Sequence, residues 1–433
     1  MVATAQRMNY KTQSSLVGYR QVLMIAFHYP PIAASAGALR SRAFASYLPD
    51  YGWQAHILAP KLEVYDELDY ETPMPCHGEV HRSWALDARR HLGWKGRYPA
   101  WVAVPDRWAA WAPSAIALGR RLIREHAIDA IWSTYPIATS HLIGAVLARW
   151  SGLPWIAEFR DPVRPDGKPL QCWAHRAIER RIAIEANRAV FVTAGARQDY
   201  VQRFPFAAGR SEVIPNGFDE AFTPVAAAEP RQSREVRPIT VLHTGHLYET
   251  GRNPGALFAA LAQLKQEKKI DARQLQIVFR NSQQDELFQA EIDRLDIADL
   301  VTLSPRIAHE RALVEQAEAD GLLLLQGREF NTQVPAKLFE YLRVGRPVLA
   351  LVDPEGDTAG LLDELDAGVR ADACDVKEIA AAVMMFVEGL RLQPGGDPAW
   401  IVDDQRLQSY SRRHQTGRLA TMLEEVTARK STD

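Results

Sequence analysis

Short apolar runs recur along the chain, and the segments between them carry the three-to-four-residue spacing of amphipathic helices. Residues 21–26 (QVLMIA) form the first buried-strand pattern, followed by the breaker-rich loop His28-Tyr29-Pro30-Pro31 and a helical stretch over 39–48. Further strands are predicted at 54–58, 130–133, 154–157 and 189–193, with helices between them such as 116–126 and 141–150. After a stretch rich in Pro, Ala and Glu the pattern restarts, with strands at 239–243, 276–279, 301–303, 321–325 and 347–351. Alternation of strand and helix implies parallel βαβ units. The fold class is therefore α/β, with two doubly wound parallel-sheet domains in tandem, facing a central cleft. The expected boundaries are a tail at 1–20, a first domain at 21–222, a linker at 223–237, a second domain at 238–408, and a last helix within 409–433 that crosses back to the first.

The length of 433 residues supports this division, because one hydrophobic core rarely serves so long a chain. Cys76, Cys172 and Cys374 are scattered, without metal-ligand or redox spacing, as suits a reducing cytoplasm. The first twenty residues lack an apolar core, and no later run matches a membrane span, so the expectation is a cytoplasmic protein. Charge adds one feature. Residues 1–215 hold 26 Lys and Arg against 18 Asp and Glu, whereas the remainder holds 25 against 35. A basic front half suits an anionic partner, either a phosphate-bearing acceptor or an anionic membrane surface, although such a split can also be without consequence.

Three segments carry a resemblance when taken in order. They are VLMIAFHYPPIAASAGALRSRAFASYLPDYGWQAHILAP near the start, VIPNGFDEAFTP in the middle, and VPAKLFEYLRVGRPVLAL in the second half. Together they resemble the family 4 group of retaining glycosyltransferases, whose fold is GT-B, two Rossmann-like domains around a cleft. The resemblance implies a nucleotide-diphosphate sugar as co-substrate and a saccharide or lipid-linked acceptor. It also implies retention at the anomeric carbon and a place in bacterial surface polysaccharide or glycolipid assembly.

Several residues then acquire candidate roles. Gly37 stands at a helix entry, where a backbone without Cβ and free amides suit a diphosphate, or simply make a turn. Residues 155–163 (WIAEFRDPV) end a buried strand in Glu158, Arg160 and Asp161, at the carboxyl edge expected to face the cleft. Arg160 and Asp161 are the candidate catalytic contacts, with a mutual salt bridge as the alternative. In 241–261, Gly245 resembles the family's loop glycine, and Arg252 is the cation expected to neutralise the donor phosphates, unless it is a plain surface arginine. Lys337 could assist it, since the family's usual lysine is absent from its place. Pro335, Ala336 and Lys337 open a helix whose free amides could hold the diphosphate. Glu340, one turn on, resembles the glutamate that takes the ribose hydroxyls; pairing with Arg343 is the alternative. Arg306 and Ile307 belong to a turn that resembles the base-holding turn. The family's earlier glutamate falls at Thr332, with Glu329 as a substitute, and Arg280-Asn281-Ser282 replaces its Gly-x-Gly turn.

Trp94, Lys95, Arg97 and Trp101 interleave aromatic and basic side chains, which suits an acceptor or membrane-facing surface as well as an ordinary partly buried loop. The chain lacks an Asp-x-Asp triplet, so no metal ligands, no metal and no other cofactor are expected at the donor, and no nucleic-acid partner. The reading is a metal-independent glycosyltransferase of hexosyltransferase type, in peripheral contact with the inner face of the cell membrane. The alternatives are a non-catalytic partner in a polysaccharide assembly complex, or a sugar-nucleotide epimerase or hydrolase.

Overall fold

A computed structural model describes residues 18–32, 36–69, 78–93, 99–163, 169–220, 237–392 and 400–428. The first sheet comprises β1 (Arg20–Ile25), β2 (Trp53–Pro60), β3 (Glu79–Ser83), β4 (Ala130–Thr134), β5 (Trp155–Phe159), β6 (Arg188–Phe191) and β7 (Ser211–Val213). The second comprises β8 (Ile239–Thr244), β9 (Leu275–Arg280), β10 (Val301–Ser304), β11 (Gly321–Gln326), β12 (Val348–Val352) and β13 (Val369–Asp372). Their orders are β3-β2-β1-β4-β5-β6-β7 and β10-β9-β8-β11-β12-β13, and every pairing is parallel. These are two doubly wound Rossmann-like sheets.

Continuous apolar strands follow from burial on both faces. Leu23, Ile25, Ile131 and Ala157 point into one core of the first domain, while Val22, Met24, Trp132 and Ile156 point into the other. The second sheet divides in the same way: Leu323 and Leu349 face one side, and Leu322 and Val348 the other.

The helix Arg412–Ala428 returns to the first domain. Its Leu419, Ala420, Met422, Leu423 and Val426 complete the core that also holds Val22, Met24 and Phe44. The two chain crossings between the domains are hydrogen-bonded to each other. Phe218 N–H donates to Tyr410 O at 3.2 Å, and Arg412 N–H to Phe218 O at 2.9 Å. This close approach requires glycine at 217, where a Cβ would collide with the Tyr410 carbonyl oxygen. The expected tail lies almost wholly outside the described residues, as does the expected linker except for Arg237.

Candidate functional site

In each sheet the strand order reverses once, between β1 and β4 in the first and between β8 and β11 in the second. Crevices open at the carboxyl ends of the strands at such points. The candidate residues gather around these two crevices.

On the first side, Arg160 follows β5 and donates its Nε to the Tyr135 carbonyl at 2.7 Å. Its guanidinium lies against Gly37, where a Cβ would overlap it, so this glycine makes room for the arginine. Burial lowers the Arg160 pKa, opposed by Asp161 and Glu158. His28 stands beside it, and burial, with the charges of Arg160 and Arg107, holds its pKa down at about 3, so its ring is neutral at physiological pH. Glu158, read from the sequence as facing the cleft, does otherwise. It is buried, accepts from Arg40 at 2.9 Å and 3.0 Å, and takes the Thr134 hydroxyl at 2.9 Å. Arg40 also donates to the Ile214 and Pro215 carbonyls, so this pair ties the sheet to the interdomain crossing. A buried carboxylate needs such partners, and its charge is spent on them.

On the second side, Gly245 has φ +108, a backbone that glycine supplies without strain, and donates its N–H to Arg280 O at 2.8 Å. Lys337 reaches this loop and donates to the Thr244 carbonyl; its Nζ lies 3.4 Å from His243 Nε2. Burial, with the nearby charge of Arg252, pulls the Lys337 pKa down to about 7. His243 is buried and neutral, donating Nδ1–H to Leu323 O at 2.9 Å, which leaves Nε2 as an acceptor toward Lys337. Tyr341 fixes the loop from below, accepting the Thr244 N–H at 2.9 Å. Arg252 is half-buried, with Nε on Gln326 Oε1 at 3.2 Å and its guanidinium over the Phe330 and Tyr248 rings. Burial lowers its pKa, opposed by Tyr248 and, more weakly, by the charge of Asp161 on the other domain.

The helix Ala336–Val344 begins after Pro335 with no side chain capping it, and its second residue is the Lys337 that reaches the Gly245 loop. Glu340 lies 3.9 Å from His309 Nε2, and burial raises its pKa. It is not paired with Arg343, whose Nη1 donates to Asp404 at 2.8 Å while the guanidinium covers Phe218. Glu340 instead lines a pocket, partly open to solvent, with Leu39, Gly217 and Asp219 of the first domain. Arg306 bridges the domains through Glu67 at 3.3 Å, with Ile307 half-buried beside it in the turn after β10. Arg280 is held by Glu315 and donates to Pro305 O at 2.9 Å, so its side chain braces that turn. Thr332 gives its carbonyl to the Thr193 hydroxyl at 2.8 Å, which makes it a contact between the domains.

Trp101 is 72% exposed and Trp173 67%. Trp94, Lys95 and Arg97 lie outside the described residues. Sequence reasoning overlooked His28, His243 and His246. The available signal was the pair of histidines around Thr244-Gly245 and the histidine that opens the loop after β1.

The fold and this site together define the class: a protein of GT-B architecture, two Rossmann-like domains around a cleft. Residues 36–217 match the family model described as glycosyl transferase 4-like domain, and they make up nearly all of the first domain after β1. Among solved structures, sucrose-phosphate synthase from Thermosynechococcus elongatus superposes at TM-score 0.62 with 16% identity, over 95% of this chain and 98% of that one. A glycosyltransferase from Rickettsia africae gives 0.63 at 12%, over 94% and 98%. HepE of Anabaena, in complex with UDP and glucose, gives 0.57 at 15%, over 96% and 99%. No curated protein sequence matches this chain.

Proposed function

We propose that the protein transfers a sugar, with retention and without a metal, from a nucleoside-diphosphate sugar to a saccharide or lipid-linked acceptor held against the first domain. One observation carries this reading: Lys337, Arg252, the Gly245 loop and the uncapped start of the helix Ala336–Val344 gather at the second domain's crevice, with the charge of Asp161 on the other domain felt by Arg252. Two cations and an uncapped helix start form a cradle for a diphosphate. HepE, of the same fold, is seen with UDP-glucose.

In this reading the acceptor hydroxyl attacks the anomeric carbon on the leaving-group face. The carbon–oxygen bond to the diphosphate breaks as the new glycosidic bond forms, and the hydroxyl proton passes to the departing phosphate oxygen; Asp161 is the side chain to test as an alternative acceptor of that proton. Arg252 and Lys337 stabilise the charge that grows on the diphosphate, an effect of a few kcal/mol per donor in comparable sites. Glu340 takes the ribose hydroxyls, the turn at Arg306 and Ile307 holds the base, and Arg160 and Gly37 border the reacting sugar. No described helix is long and apolar enough to cross a membrane. The exposed Trp101 and Trp173 suit peripheral contact with an anionic membrane on the cytoplasmic side, and surface polysaccharide or glycolipid assembly is the setting that fits. A second reading, a non-catalytic partner in such an assembly, is favoured by Thr332 standing where the family has glutamate.

The test is calorimetric titration with UDP, ADP and GDP and their glucose conjugates, alongside Arg252→Ala and Glu340→Ala. One nucleotide binds, each substitution weakens it at least about tenfold, and the matching sugar nucleotide is consumed only with acceptor. If no nucleotide binds, or if both variants bind like wild type, the donor site is elsewhere. Binding without any turnover assigns the protein to the second reading.

A further inference from the structure

Away from the cleft, three histidines and a glutamate converge on the first domain. His56 lies on β2, Glu79 and His81 on β3, and His126 at the carboxyl end of the helix Ala112–Glu125 that covers these strands. That helix end leads into β4, so the cluster sits toward the amino ends of the strands, opposite the donor crevice. Each residue offers one ligand atom, and the four atoms lie within 4.8 Å of one another. His56 Nδ1 is 3.4 Å from His81 Nε2, and each is 3.6 Å from Glu79 Oε2. These separations are long for hydrogen bonds between such groups. They match two ligands of one ion, because tetrahedral bonds of about 2.0–2.1 Å place ligand atoms about 3.3–3.4 Å apart.

The surroundings set the donor atoms. Gln21 directs its amide nitrogen to the Tyr19 carbonyl at 2.8 Å, which turns its Oε1 toward His56 Nε2 at 2.9 Å. His56 therefore carries its proton on Nε2 and presents a bare Nδ1 to the cluster, the arrangement in which a second hydrogen bond orients a metal-bound imidazole. His56 is buried, His81 half-buried, and the Glu79 carboxylate is 60% exposed, which leaves an entry path from solvent.

We propose that His56, Glu79, His81 and His126 bind a zinc ion that clamps β2, β3 and the helix Ala112–Glu125 together. Three imidazoles and a carboxylate suit zinc among the common divalent ions, whereas Mg²⁺ and Ca²⁺ prefer oxygen ligands throughout. With four protein ligands the coordination is closed, so the role is structural. The site leaves the donor chemistry described above unchanged and does not depend on it.

The experiment uses the full chain, stripped with chelator and titrated with Co²⁺ as a spectroscopic stand-in, then with Zn²⁺. One equivalent of Co²⁺ gives the intense visible bands of a tetrahedral complex, Zn²⁺ displaces it, and Zn²⁺ raises the melting temperature. His126→Ala and Glu79→Gln, both at accessible positions, lose the bands while melting like the stripped wild type. Gln21→Ala keeps the bands but binds about 10–100-fold more weakly. Absence of tetrahedral bands in wild type, or their persistence in both His126→Ala and Glu79→Gln, overturns the assignment.

Discussion

Lys337 shows how one buried amine can couple the site to pH. Its pKa of about 7 means that the neutral amine prevails in the empty protein above that value and the ammonium below it. An anionic diphosphate favours the ammonium, so binding above pH 7 draws in a proton, and affinity falls as pH rises from 7 toward the higher pKa of the bound state. The limiting slope for one proton is about tenfold per pH unit. Calorimetry in buffers of differing ionisation enthalpy should show proton uptake near pH 8 in wild type and none in Lys337→Gln; equal uptake in both would remove Lys337 from the diphosphate. The spacing P-A-K-x-x-E made Lys337 and Glu340 legible as candidates, because three residues along a helix lie on one face. The contacts of Lys337 with Thr244 and His243 were not legible, since they come from a loop 93 or 94 positions away. Glu158 was misread for the same reason: its partner Arg40 is 118 residues distant, and an isolated strand sequence gives no sign of what neutralises a buried charge.

Among the elements, the long apolar strands could be read directly, whereas β3, β7 and β13 could not. Their sequences, EVHRS, SEV and VRAD, are short and largely polar because each lies at a sheet edge, where one side lacks a neighbour and burial is partial. The histidine cluster escaped notice along with β3, since His81 and Glu79 seem unrelated to His56 until the two strands are paired. The return helix is a stronger case of an element acting far from its place in sequence. Leu423 is fully buried among Phe44, Trp53 and Met24 in the first domain's core. Leu423→Ala should cost about 2–5 kcal/mol in urea unfolding. A cost near zero would mean that the helix rests on the domain without holding it together.

For the molecule as a whole, function depends on how the two domains are held. Gly195 N–H, in the first turn of the helix Ala194–Arg203, donates to the Asp357 carboxylate of the second domain at 3.0 Å and 3.1 Å, while Thr193 caps that same helix and also reaches the Thr332 carbonyl. A charged hydrogen bond of this type is worth about 1.5–3 kcal/mol. Asp357→Ala should therefore widen the distribution of domain orientations, seen as a larger radius of gyration in small-angle scattering of the ligand-free protein, with the scattering of wild type restored by saturating nucleotide. An unchanged radius would assign the restraint to the paired crossings at Phe218 and Tyr410.

Those crossings and the helix beyond them have a consequence for biogenesis. A ribosome delivers residues in order, and domains made early normally condense before later ones emerge. Here one of the two cores of the amino-terminal lobe stays open until residues 419–426 have cleared the exit tunnel, while the other is complete without them. Ribosome-stalled chains ending near position 400 would present an open apolar face, and their capture by chaperones should cease once the final helix is released.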